Sequence, residues 1–401
     1  MKKRIVVVGN GMAGLRFVEE LTAAAPGRFD ITVIGAEPQV AYNRVLLSPL
    51  LAGEIGTDDV MLKPAQWYAD RGVTLVTGRP ATALDTAARM LTIEGGETIV
   101  FDACVLATGS KPIRLPLPGA DLNGVVTFRT LADVDAMTAY AQSGQPAVVI
   151  GGGLLGIEAA YGLARAGIEV TLVHVMDRLM ERQLDAEGAE HLNAAIAAKG
   201  IRVLLNAETT EIIGSDRVEG IGLSDGTRIG CGLVVMAVGV RADAALASAA
   251  SLEVKRGILI DDTLETSAPG IYAIGECAEH RGACYGLVEP AYEQAKVLAR
   301  RLAGHEATYG GSVPAANLKV SGVPVFSAGD FIGEGAEILV TRDAGLGAYR
   351  KLCVKGAQLV GAVLVGDTTD ALWYLDLIRS GADVAGFREA LAFGRAYAEA
   401  A

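Results

Sequence analysis

The sequence predicts an α/β protein with two Rossmann-like dinucleotide-binding domains and a small C-terminal α+β domain. Three observations carry this. A Gly-x-Gly-x-x-Gly loop joins a β-branched strand to a helix at Gly9, the same arrangement recurs at Gly151, and short strands replace it after Pro314.

A length of 401 residues is more than one core fills comfortably, so two or three domains are expected. The 50 glycines follow no collagen-like or low-complexity period and read as turns and close backbone contacts. A net charge of -12 weighs against nucleic acid or anionic membranes as partners and would suit a basic partner. After Lys2, Lys3 and Arg4, the apolar run Ile5 to Val8 ends at Gly9. That is too short for the core of a secretory signal and fits a buried first strand. No stretch is apolar for long enough to span a bilayer, and the expected location is the cytoplasm. Cys104, Cys231, Cys277, Cys284 and Cys353 form no Cys-x-x-Cys pair, which argues against a disulfide framework. Cys277 and Cys284 flank His280 without an evident fourth ligand, so no metal is expected.

The first cradle begins with the strand Arg4 to Val8, continues through Gly9-Asn10-Gly11-Met12-Ala13-Gly14, and enters a helix running to about Ala25. A second strand over Ile31 to Ile34 leads to Glu37. The glycine pattern alone is weak evidence. Between a strand and a helix, with an acid past the next strand, it is strong. Gly9 permits the tight turn, Gly11 lets the backbone approach a pyrophosphate, and Gly14 lets helix and strand pack closely. Met12 and Ala13 open a helix whose free N–H groups and dipole suit phosphate. Glu37 can accept hydrogen bonds from ribose hydroxyls.

The second cradle repeats the order: Ala147 to Ile150, then Gly151-Gly152-Gly153-Leu154-Leu155-Gly156, a helix to about Ala166, and a strand from Glu169 to Val173. Its intact glycines favour a second dinucleotide over a decayed site. The ribose acid is missing. His174 stands in its place, followed by Asp177 and Arg178. A carboxylate would favour the free 2′-hydroxyl of NADH and a cation the 2′-phosphate of NADPH. A histidine gives only a weak preference, so the choice of coenzyme stays open.

Between the cradles, Val105 to Ser110 contains Ala107-Thr108-Gly109 and leads into Lys111-Pro112, a sharp exit from a sheet. Val234 to Arg241, with Gly239, repeats that signal. The segment Thr266-Ser-Ala-Pro269-Gly270-Ile-Tyr272-Ala-Ile-Gly275-Glu276 follows.

This last segment resembles the motif that closes the FAD domain in two-dinucleotide-binding-domain flavoprotein reductases, with Glu276 in place of the usual Asp. The resemblance implies FAD in the first domain, NAD(P)H in the second, and the NAD domain inserted into the FAD domain. It places Glu276 at a ribityl hydroxyl, Ala107, Thr108 and Gly109 against FAD, Gly275 in the returning strand, and Gly239 near the nicotinamide. The implied domains are 1–112 and 247–313 for FAD, 113–246 for NAD(P)H, and 314–401 for a C-terminal domain that supports a possible homodimer. Tyr42 to Glu54, Leu179 to Asp185, Ile274 to His280 and Asn317 to Asp330 narrow the likeness to the flavoprotein part of NAD(P)H-nitrite reductase. In length the chain is similar to the electron-transfer subunit of assimilatory nitrate reductases.

The departures from that family also inform. Residues 38–56 contain no cysteine, so thiol chemistry at the flavin is not expected. The chain lacks the cysteine clusters of iron–sulfur and siroheme regions, so it is not expected to reduce nitrite to ammonia by itself. Pro49 stands where many ferredoxin and rubredoxin reductases have Lys, which leaves a Lys–Glu pair at the flavin face without its cation.

The implied chemistry is hydride transfer from nicotinamide to flavin N5, then release of electrons to an acceptor. Glu158 is the candidate for positioning the nicotinamide; its alternative role is favourable charge at a helix N-terminus. Arg44 is expected at the FAD phosphate or ring. Pro290 and Ala291 are expected at a helix start whose N–H groups stabilise charge at flavin O2. Arg129 reads as a domain contact. Beyond Pro314, strands are expected at Lys319 to Val320, Ala348 to Val354 and Leu359 to Val365, with a helix from Thr369 to Arg379. Trp373 and Tyr374 fit core packing better than a partner surface. The expected function is an FAD-dependent NAD(P)H oxidoreductase serving a separate redox partner, a nitrate or nitrite reductase. A ferredoxin or rubredoxin reductase, or a flavin-binding redox sensor with little turnover, are the alternatives.

Overall fold

The computed structural model describes residues 2–313, 315–320 and 322–400, with the side chains of 317–320 left aside. The expected domain start at Pro314, and the side chains of the strand expected at Lys319 to Val320, lie outside the described residues. The chain forms two compact units. One comprises Met1–Leu47, Gly56–Lys111 and Val240–Ser312; the other comprises Ser48–Ile55, Pro112–Gly239 and Val313–Ala401.

The first unit is built on an all-parallel sheet with the spatial order Val73–Val76, Phe29–Ile34, Lys3–Val8, Ala103–Leu106, Ile271–Ala273. Ile5 to Val8 and Ala103 to Leu106 are unbroken apolar runs, each residue at most 4% exposed. That pattern belongs to strands covered on both faces. The helices Met12–Ala24 and Val288–Leu302 pack on each other. The second of them buries Pro290, Ala291, Gln294, Ala295, Leu298 and Ala299, one stripe at helical spacing. Strand order reverses beside Lys3–Val8, which puts the loop after that strand in the crevice where such sheets bind ligands.

The second unit repeats this plan with Arg202–Leu204, Val170–Val173, Ala147–Ile150, Leu233–Met236 and Val125–Thr127, again all parallel. The repetition goes beyond the glycine loops. Each unit inserts a three-stranded antiparallel meander before its fourth strand: Ala81–Asp85, Met90–Ile93 and Thr98–Val100 in the first, Thr209–Gly214, Val218–Leu223 and Arg228–Gly230 in the second. The units differ in where the last edge strand originates. Ile271–Ala273 comes from far along the chain, whereas Val125–Thr127 precedes its own glycine loop.

Also within the second unit, five antiparallel strands follow the order Ala315–Val320, Val323–Gly329, Gln358–Val365, Ala348–Lys355, Glu337–Asp343. The helix Ala371–Ser380 contributes to their core. Tyr374 is fully buried with Phe326, Leu352 and Leu364, and Trp373 packs against the same cluster. Two of these strands were not expected from sequence. Val323–Gly329 carries Pro324, and Glu337–Asp343 is an edge strand with exposed ends and no buried residue.

A polar cluster fastens this sheet to the helix Ala186–Ala197. Asp185 caps the helix by accepting the Gly188 N–H at 3.2 Å. Its other oxygen accepts the Tyr349 hydroxyl at 2.7 Å and lies 3.3 Å from Lys351 Nζ. The His191 ring stacks on Tyr349, and Arg342 Nη2 donates to Glu187 at 2.8 Å. Asp185→Ala removes a cap and leaves Lys351, 12% exposed in its side chain, without its carboxylate. The expected loss is about 3 kcal/mol in urea unfolding. A change below about 0.5 kcal/mol, the range of neutral surface substitutions, would show that the cluster does not hold the sheet in place.

Candidate functional site

In the first cradle, Gly9 has φ +119° and its N–H donates to the Ile34 carbonyl at 2.8 Å. A Cβ on Gly9 would stand 2.1 Å from the Ala107 carbonyl oxygen, and one on Gly14 would stand 2.0 Å from the Gly9 oxygen. These two glycines are demanded by the protein's own backbone. Gly11 is different. Its backbone is extended (φ -93°, ψ -167°), and a Cβ there would meet no protein atom within 4 Å. Nothing among the described residues requires glycine at this position, and the open space leaves room for close approach of an external group. A pyrophosphate at the N-terminus of Met12–Ala24, beside Met12 and Ala13, is such a group.

The other residues predicted for this site gather around the cradle. Glu37 accepts the Tyr42 hydroxyl at 2.6 Å and pairs with the Arg44 guanidinium, whose Nη1 donates to Tyr42 at 2.8 Å. Arg44 is therefore engaged with Glu37. Ala107 is buried against Gly9, Thr108 Oγ1 donates to the Asp243 carbonyl at 2.6 Å, and Gly109 has φ +73°. Asn10 accepts the buried Tyr68 hydroxyl at 2.9 Å, a contact that spacing could not reveal.

The closing turn also joins this site. Gly275 has φ +80°, and a Cβ there would lie 2.9 Å from Ala13 Cβ and 3.8 Å from Ala291 Cβ. Its N–H donates to Gln294 Oε1 at 2.7 Å, and Glu276 accepts the Ser110 hydroxyl at 2.7 Å. Ala291 does not begin its helix, as was expected. The helix starts at Val288, with Pro290 third and Ala291 fourth. Proline is tolerated there because the N–H it lacks has no partner in a first turn. Gln294 was missed by sequence reasoning, although an amide inside an otherwise apolar stripe was a usable signal. Gln294→Leu leaves the Gly275 N–H without an acceptor, an expected cost of about 1–3 kcal/mol. FAD retention on gel filtration measures it; unchanged retention would mean that Gln294 does not support the turn.

The second cradle reproduces the first. Gly151 has φ +119° and donates to the Val173 carbonyl at 2.8 Å; its Cβ would lie 2.3 Å from the Ala237 oxygen. A Cβ on Gly156 would lie 1.9 Å from the Gly151 oxygen, while Gly153 again has open space around it. Leu154 and Leu155 open the helix Leu154–Arg165 with no side-chain cap. Gly239 has φ +111° and closes the turn after Leu233–Met236. His174 is 7% exposed and turned into the glycine loop, where it accepts the Gly152 N–H on Nδ1 at 3.0 Å.

Glu158 sits in the same helix, where its carboxylate accepts the Ser48 hydroxyl at 2.5 Å. The donor is a neutral hydroxyl, from the position before Pro49. Burial pushes the Glu158 carboxyl up to about 7, and the Ser48 hydrogen bond partly opposes that rise. The helix holding Ser48, Leu47–Leu51, is fitted to Leu154–Arg165: a Cβ on Gly162 would stand 2.5 Å from Leu51 Cγ.

The family model for pyridine nucleotide-disulphide oxidoreductases matches residues 3–300, spanning both cradles and the closing turn. The chain belongs to this family. As a pyridine nucleotide-disulphide oxidoreductase it is an FAD-dependent NAD(P)H oxidoreductase. A second model, the rubredoxin NAD+ reductase C-terminal domain, matches residues 314–382. The chain is 46% identical to the nitrite reductase [NAD(P)H] of Bacillus subtilis, over 96% of this chain and 48% of that protein. It is 41% identical to the assimilatory nitrate reductase electron transfer subunit of the same organism, over 96% and 50%. The chain thus spans about half the length of the curated relatives it matches, so the expected likeness in length to that electron-transfer subunit does not hold. A solved ferredoxin reductase from Rhodopseudomonas palustris is 28% identical with a TM-score of 0.86, covering 96% of this chain and 98% of that one.

The family name includes a disulphide, yet all five cysteines are free thiols, four of them buried. Burial pushes the Cys277 thiol up, and its Sγ donates to the Ile274 carbonyl at 3.2 Å. His280 Nε2 pairs with Asp262 at 2.9 Å, and its ring packs on Tyr309. Among the described residues no helix is long and apolar enough to cross a membrane.

Proposed function

We propose that this chain is the electron-entry module for a nitrate- or nitrite-reducing enzyme. The observation that carries this is the pair of matching cradles without a thiol pair. Each leaves open space at the glycine where a pyrophosphate would lie, Gly11 in one and Gly153 in the other. No cysteine occurs in residues 38–56, so reducing equivalents have no thiol relay and pass to another redox centre. The names of the two relatives described above point to nitrite and nitrate reduction as its destination.

In this reading FAD lies along Gly9, Gly11, Gly14, Glu37 and Arg44, with Ala107 to Gly109, Gly275, Glu276, Pro290 and Ala291 around it. The nicotinamide dinucleotide lies along Gly151, Gly153 to Gly156 and His174, with Gly239 and Glu158 toward its reactive end. The bound flavin supplies hydride acceptance and stepwise electron release. The chain supplies orientation: the helix N-termini at Met12 and Leu154 hold phosphate, and Glu158 holds or gives up a proton beside Ser48. The proposed domains remain 1–112 with 247–313, 113–246 and 314–401, and the proposed location is the cytoplasm. A ferredoxin or rubredoxin reductase is the second reading, favoured by the C-terminal match at 314–382.

Anaerobic titration with NADH or NADPH should bleach the flavin, and the reduced protein should then pass electrons to a siroheme or molybdopterin partner faster than to rubredoxin or ferredoxin. Absent bleaching would sink both reductase readings and leave a redox sensor. Faster transfer to rubredoxin or ferredoxin would move the assignment to the second reading.

A further inference from the structure

We propose that Glu181 supplies the carboxylate that selects NADH over NADPH, and that His174 positions it. This rests on a nicotinamide dinucleotide occupying the second cradle. In such domains the residue after the second strand offers an acid to the adenosine ribose. Here the strand Val170–Val173 ends and His174 follows, with its imidazole buried.

Both nitrogens of that imidazole are committed. Nδ1 accepts the Gly152 N–H at 3.0 Å, so the ring proton sits on Nε2, which donates to Glu181 Oε2 at 3.2 Å. The ring is also part of the cradle wall, since a Cβ on Gly152 would lie 2.6 Å from its Cγ and Cδ2. His174 therefore has no nitrogen left for a phosphate or a hydroxyl. What it holds is the Glu181 carboxylate, one hydrogen bond beyond the strand-end position, with a side chain still 23% exposed. Of the nearby cations, Arg178 donates to both oxygens of Asp177 at 2.9 and 3.2 Å, and the exposed Arg182 holds its Nε 3.9 Å from Glu181 Oε1.

The consequence is electrostatic. A carboxylate accepts hydrogen bonds from free ribose hydroxyls, whereas a 2′-phosphate would bring like charge against it. The acid missing from the strand end is thus restored from the following loop, seven residues later in the chain.

Calorimetry on the FAD-loaded protein with NAD+ and NADP+, together with kcat/KM for NADH and NADPH, tests the proposal in Glu181→Gln and Glu181→Arg. The wild type should favour the non-phosphorylated dinucleotide in both measurements. Glu181→Gln should cut that binding ratio by about ten-fold, the loss of one charged hydrogen bond, and Glu181→Arg should reverse it. The flavin spectrum and Tm should match wild type in both variants, which separates selection from misfolding. A wild type that favours NADP+, or an unchanged ratio in Glu181→Gln, would overturn the assignment while leaving the second cradle a nicotinamide site. A protein that binds neither dinucleotide and is bleached by neither would overturn the cradle reading and this inference together.

Discussion

Gly153→Val should give a folded, flavin-containing protein that NADH reduces on the order of 100-fold more slowly, the penalty for displacing a reactant by about 1 Å. A Cβ added at Gly153 meets no described atom within 4 Å, and the extended backbone at φ -78° accepts any residue. Under the proposed function, the dinucleotide lies in its path. Gly156→Val is the control, because its Cβ would lie 1.9 Å from the Gly151 oxygen and should lower Tm. Stopped-flow bleaching beside thermal unfolding separates a binding glycine from a packing glycine. An unimpaired reduction rate in Gly153→Val would remove the dinucleotide from this cradle.

The second large effect is expected at Glu158. Its carboxyl titrates near pH 7 in the folded protein against 4.5 in an ordinary setting, because burial penalises the charged form. Between those values the unfolded chain has released a proton that the folded chain keeps, so stability falls as pH rises and levels off above about 7. The full shift corresponds to about 3 kcal/mol. Glu158→Gln should therefore match the parent near pH 4, below both values, and exceed it at pH 8 by up to about 3 kcal/mol in urea unfolding. Ser48→Ala, which removes the one opposing hydrogen bond, should move the inflection to higher pH. Under the positioning role, flavin reduction should speed up as Glu158 ionises and lose that inflection in Glu158→Gln. Parallel stability curves for parent and Glu158→Gln would show that Glu158 carries no such shift.

Both arguments start from features that sequence made visible, and the reason is physical. Gly9, Gly14, Gly151 and Gly156 are fixed by backbone atoms a few residues away or on the adjacent strand, so spacing alone exposes them. Glu158 is visible because it is the one acid in the helix Leu154–Arg165. The paired role of Ser48 depends on a contact 110 residues away, and no local pattern encodes it. His174 was legible as a position and not as an orientation: its partners are a backbone N–H and an acid in an irregular loop. The meanders and the strands Val323–Gly329 and Glu337–Asp343 were missed because short, half-exposed strands carry little periodicity. The C-terminal helix was expected at Thr369 to Arg379 and spans Ala371–Ser380, since one buried stripe marks a helix better than it marks its ends.

The different origins of the two edge strands bear on how the polypeptide emerges from the ribosome. Residues 125–236 contain every strand of the second parallel sheet, so that sheet can close as soon as this stretch is available. The first sheet cannot close at that moment. Its edge beside Ala103–Leu106 stays unpaired until Ile271–Ala273 has been synthesised. At about 5–20 residues per second, the nascent chain carries an open, apolar sheet edge for several seconds while a later sheet is already complete. Of the two parallel sheets, the first begun is the last finished.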